Sequence, residues 1–149
     1  MIFNLYHVVS FSIILFFSLI LSIQDIKTLS ANIFLQCFSI FCALTCHLVF
    51  NRNGIWIYIL SSIFSGAFYF VIRKITRNKL GPADVRFGFF QGFFLIPQML
   101  AVCFAAESLA ALCIVLIYRK TSFKTFPFIP FMSFGLIISY ILQIIFFPA

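Results

Sequence analysis

Leu80-Gly81-Pro82-Ala83-Asp84-Val85-Arg86-Phe87 is a polar, turn-forming island in a chain that is otherwise nearly all hydrocarbon. It carries Asp84, one of only three acidic residues among 149. A second acid, Asp25, closes the first apolar run. Hydrophobic residues make up 64% of the chain and charged residues 9%. A soluble domain of this size must turn a polar surface to water, whereas a bilayer accepts an apolar one, so the composition points to an integral membrane protein. Backbone groups in lipid must be satisfied within the protein, and the apolar runs are continuous rather than alternating. The fold class expected is therefore an all-α membrane protein, a single polytopic domain over residues 1–149 with about six spans and no β-barrel.

Working outward from the island, the runs predict helices at about Leu5 to Gln24, Asn32 to Phe50, Ile55 to Ile72, Pro82 to Pro97, Gln98 to Tyr118 and Phe131 to Phe147. Asp25-Ile26-Lys27-Thr28 is expected to follow the first helix. The fourth run, from Pro82 to Ile96, is short, roughly 22 Å at 1.5 Å per residue, against about 30 Å of hydrocarbon. That shortness predicts a recessed, hydrated position for Asp84, where a membrane tolerates an ionisable group. The first run lacks a basic leader and an A-x-A site, so it is expected to remain as a helix rather than be cleaved as a signal peptide.

The net charge of +7 is placed by topology rather than by nucleic acid. Lys27, Arg73, Lys74, Arg77, Lys79, Arg86, Arg119, Lys120 and Lys124 fall on one side of the predicted membrane, and Arg52 alone on the other. The positive-inside rule then puts the amino terminus outside and both Asp25 and Asp84 at the cytoplasmic face.

Two acids at one membrane boundary suggest a dyad. At about 3 Å two carboxylates cannot both ionise and share one proton. The ionised member can take a proton from water while the protonated one polarises a peptide carbonyl, which is aspartic-protease chemistry and requires no metal, cysteine or histidine. The competing reading pairs each acid with its neighbouring base, Asp25 with Lys27 and Asp84 with Arg86. Helix dipoles favour Asp25, at a carboxyl end, as the proton-bearing acid and Asp84, in a first turn, as the base.

With these residues in place, the chain resembles the prepilin peptidases (type IV leader peptidases), six-helix aspartic proteases of the G-x-G-D type. Asp25-Ile26-Lys27-Thr28, leading to Asn32, is similar to the family's first aspartate segment. Gly81-Pro82-Ala83-Asp84-Val85-Arg86 is similar to G-x-G-D-V-K, and Pro127-Phe128-Ile129-Pro130-Phe131 to the P-F-G-P-F segment that opens the last helix. The resemblance implies that Asp25 and Asp84 are the catalytic pair and that Gly81, Ala83, Lys27, Arg86, Pro127 and Pro130 support the motifs. It implies an endopeptidase without cofactor or metal that removes the leader of prepilins or pilin-like secretion proteins at the cytoplasmic face of the cell membrane. The family's methyltransferase loop has no counterpart, so the short, protease-only form is implied. The pattern is altered where Ala83 replaces the second glycine, Ile129 replaces the glycine of P-F-G-P, and Ser30-Ala31 stand before Asn32. A positive φ at residue 83 would disfavour alanine. A catalytically inactive member serving a pilus or secretion assembly is therefore the alternative.

The remaining polar residues carry less. Glu107, the third acid, is expected in mid-helix as a protonated packing residue, with a proton site of a small transporter as the other possibility. His7 and His47 are expected at the outer interface. Cys37, Cys42, Cys46, Cys103 and Cys113 lie in apolar runs without a C-x-x-C pair and read as inert. The basic loops are suited to anionic lipid.

Overall fold

The computed structural model describes residues 5–117 and 127–147. It is all-α, with α1 Leu5–Thr28, α2 Ile33–Phe50, α3 Ile55–Ile75, α4 Pro82–Gly92, α5 Pro97–Ile117 and α6 Ile129–Phe146. Five of these, all but α4, are long and apolar enough to cross a membrane, as a multi-pass membrane protein requires. Their outer faces carry exposed apolar side chains such as Phe16, Leu19, Phe34, Trp56 and Phe64. In water such a surface would be untenable; against lipid it needs no cover.

The fourth helix is the exception, with 11 residues, or about 16 Å of length. It lies enclosed by its neighbours, packing on α2, α3 and α6. Ala83, Asp84, Val85, Phe87, Gly88, Phe90, Gln91 and Gly92 are all buried. Small residues make the enclosure possible. A methyl group added at Gly92 would run into the backbone of Ser61 and Ser62, so α3 and α4 meet nearly backbone to backbone. Gly135 plays the same part where α6 crosses α5, against the Cys103 carbonyl and the Glu107 side chain. The apolar core runs beside α4 through Ile14 and Leu21 of α1, Phe94 and Leu95, and Met132 and Leu136 of α6.

Three of the boundaries that differ from those the sequence predicts bear on the site; α3 also runs three residues past Ile72, to Ile75. The first helix does not stop at Gln24. It continues to Thr28, because the Leu29 N–H returns to the Asp25 carbonyl at 2.9 Å and the Thr28 hydroxyl donates to the Gln24 carbonyl. Leu29 then ends it in the left-handed conformation, φ 53°. Asp25 is thus inside the last turn of α1. The fourth helix ends at Gly92, and residues 93–96 form a turn inside the bundle. The sixth begins at Ile129, two residues early, with Pro130 in its first turn, where the missing N–H is no loss.

The buried turn needs partners for its backbone. His47 Nε2 meets the Phe93 carbonyl, the Gln143 amide donates to the Phe94 carbonyl at 3.1 Å, and Gln143 Oε1 accepts the Ile96 N–H at 2.8 Å. Two side chains from α2 and α6 therefore complete the turn. Because Ala83 is bonded to Gln36 and Phe93 to His47, α4 with its turn spans from the first to the last turn of α2 and reaches neither end.

Candidate active site

Asp84 is the third residue of α4, after Gly81 as cap and Pro82 at the first helical position. Its Oδ2 accepts the Gly81 N–H at 2.9 Å, one of the donors that a helix start leaves unpaired. Gly81 has φ −69°, and Ala83 is not among the residues with positive φ. The replacement of glycine at 83 therefore costs no backbone strain. Asp84 is 6% exposed. Burial pushes its carboxyl up to about 7; the Gly81 N–H opposes this, and the charge of Asp25 adds to it.

Asp25 is brought to the same end of the bundle by α1, and it too is buried. Its Oδ2 accepts the Ile129 N–H at 3.1 Å. Ile129 opens α6, so Asp25 stands at the carboxyl end of one helix and at the amino end of another. The sequence sees only the first of these dipoles. The second favours a charge at Asp25 and removes the asymmetry on which the acid and base assignment rests. Pro130 leaves the Ile129 N–H as the donor at this helix start, and nothing in that contact requires glycine at 129.

The structure therefore brings together all three segments singled out in the sequence. The Asp84 segment and the Asp25 segment meet closely enough for one charge to act on the other, and the Pro127-to-Pro130 segment supplies the donor to Asp25. Pro127 and Pro130 are half-buried beside it. Lys27 is exposed. Among the described residues no ion pair joins Asp25 to Lys27 or Asp84 to Arg86. Arg86 Nε donates instead to Gln36 Oε1 at 2.5 Å.

Gln36 is the residue that the motifs miss. It is fully buried, and its Nε2 donates to the Ala83 carbonyl at 2.9 Å while its Oε1 holds Arg86. It thus grips α4 on both sides of Asp84. The second helix is itself tied to the Asp25 segment, since Gln24 Oε1 accepts the Asn32 N–H at 3.1 Å and the Asn32 side chain caps α2 at Phe34. The signal in the sequence was a lone amide in an apolar run, one turn after Asn32.

Two further polar clusters lie deeper. Glu107 accepts from the Tyr69 hydroxyl and from the Cys103 thiol, and Gln91 donates to Tyr69 and to Ser65. This is the hydrogen-bonded packing expected of Glu107. At the end away from the aspartates, His7 meets the Tyr140 hydroxyl at 3.3 Å, Tyr6 meets His47 at 3.4 Å, and the His47 ring stacks on Tyr58 with centroids 4.3 Å apart. Both histidine side chains are packed inside the bundle. His47 is drawn inward by the open carbonyl of the Phe93 turn. Among the described residues the cysteines are unpaired, and no group of three or more His, Cys, Asp or Glu side chains could hold a metal ion. Arg119, Lys120 and Lys124 lie outside the described residues.

Comparison with protein-family models, curated proteins and solved structures yields no match to this chain. The resemblance noted above stands on the residues themselves.

Proposed function

We propose that the protein is an intramembrane aspartic endopeptidase that removes the leader from a prepilin or pilin-like protein at the cytoplasmic face of the cell membrane. The observation that carries this reading is a pair of buried carboxylates from distant segments, electrostatically coupled and, among the described residues, without an ion-pair partner. A paired acid of this kind costs stability, and it can exchange a proton. Backbone donors hold both carboxyls in place, Gly81 on Asp84 and Ile129 on Asp25. In the reaction the ionised carboxylate takes a proton from the attacking water, and the protonated one donates to the carbonyl oxygen. The pair then returns a proton to the leaving amine. The substrate would lie with its basic leader in the cytoplasm and its apolar segment along the lipid-facing bundle.

One observation favours a second reading, the catalytically inactive assembly component. Each aspartate also satisfies a helix start, which is a structural use of a carboxylate. Cleavage of a co-expressed pilin-like substrate in membranes, read as a gel shift, separates the two. Processing by the wild type that is lost in both Asp25→Asn and Asp84→Asn, and kept in Glu107→Gln, supports the peptidase. A folded wild type that processes none of several pilin-like substrates supports the assembly component.

A further inference from the structure

We propose that Gln36 is a positioning residue that keeps the Arg86 guanidinium off the aspartate pair by giving it a neutral partner. This deepens the peptidase reading, since a shared proton survives only where no fixed cation claims the carboxylates.

The geometry fixes the roles of the amide. The Ala83 carbonyl can only accept and Arg86 Nε can only donate, so the Gln36 side chain has one orientation that serves both, and it takes that one. Arg86 is two residues from Asp84 on the same helix. Without a partner at Gln36, its long side chain has no acceptor among the contacts that now hold it, and Asp84 is the acid nearest to it along the chain. A guanidinium beside an aspartate favours the ionised form by roughly one to three pH units. The uncharged amide on α2 therefore works as a latch. It satisfies the guanidinium carried two residues from Asp84 and adds no charge of its own.

The charged and titratable groups around Asp84 can be named by element. Asp25 comes from α1. The fourth helix itself brings Arg86. On α3, Tyr69 packs on Gly88, so the antiparallel register puts Arg73 at the level of Asp84. The second helix brings Gln36, which does not titrate, and α6 brings the Ile129 N–H.

The test reads the carboxyl directly and so does not depend on turnover. Dicyclohexylcarbodiimide labels protonated carboxyls in apolar surroundings, and mass spectrometry of the Asp84 peptide across a pH series gives a labelling midpoint. In Gln36→Leu the midpoint should fall by about one pH unit or more, and in Gln36→Leu/Arg86→Gln it should return to the wild-type position. Arg86→Gln alone should leave it in place, because Arg86 is already held away. In Gln36→Glu, which keeps a partner for Arg86 and preserves side-chain shape, the midpoint should not fall. An unchanged midpoint in Gln36→Leu, a fall in Gln36→Glu, or a rise in Arg86→Gln alone would each overturn the proposal. The pH profile of substrate processing should move with the labelling midpoint. If the wild type cleaves nothing, the peptidase reading is lost, while the labelling series still decides the role of Gln36.

Discussion

The two ends of the bundle treat buried polar groups in opposite ways. At the aspartate end, each acid is held by backbone N–H at a helix start, and the nearby Arg86 is turned to a neutral amide. At the histidine end, His47 and Gln143 complete an open turn, and Tyr6, Tyr58 and Tyr140 surround the imidazoles. The first end keeps two buried carboxyls that, among the described residues, have no ion-pair partner. The second uses its polar side chains to satisfy backbone that no helix covers, as a low-dielectric interior demands. Chemistry is expected at the first end, and stability at the second.

If that contrast is right, the largest loss of activity comes at the first end. Asp25→Asn and Asp84→Asn should each lower the rate of substrate processing by about 10³-fold or more, in the range of a lost general acid or base. Circular dichroism of the purified variants should show unchanged helix content. A variant with near wild-type processing would break the comparison at its strongest point.

The next effect is in pH. Burial, with the charge of Asp25 adding to it, pushes Asp84 up to about 7, so below that pH the pair still holds a proton. As pH rises through about 7 the pair becomes doubly ionised and loses its acid. The rate constant kcat/KM should then fall about tenfold per pH unit on the alkaline side. A flat profile from pH 6 to pH 9 would show that the pair shares no catalytic proton.

At the opposite end the prediction is a loss of stability without loss of chemistry. His47→Phe leaves the buried Phe93 carbonyl without its partner, at a cost of about 1–3 kcal/mol. Unfolding in mixed micelles should register that loss, while processing per folded molecule stays near wild type. A collapse of activity in folded His47→Phe would mean that the two ends are coupled. The smallest effect belongs to Lys27, which is exposed. Lys27→Gln should change stability by less than about 0.5 kcal/mol and processing by less than about twofold.

Much of this molecule was legible in its sequence. Continuous apolar runs required helices, because lipid offers the backbone no other partner, and the turn residues between them gave the order and number of elements. Asp25 and Asp84 stood out for the same reason, as rare charges at run boundaries. Gln36 does not stand out there, and His47 reads only as an outer-interface residue, although both are polar residues in apolar runs. A side chain of that kind has no visible purpose until the group it satisfies is known, and the groups of α4 and its turn that these two satisfy are 46 or more residues away. The short fourth run was recognised as odd, yet its true end at Gly92 depends on side chains of α2 and α6 that cap the turn from outside.

The sequence by itself determined the solvent, the helices and the two acids, since each follows from local hydrophobicity and from the cost of charge in hydrocarbon. Only the tertiary structure decided what surrounds those acids. It put the start of α6 against Asp25, turned Arg86 to Gln36 and enclosed α4 through the glycine contact with α3. Those outcomes depend on which helix faces which, and helix packing is a sum over distant contacts that no single stretch of chain contains.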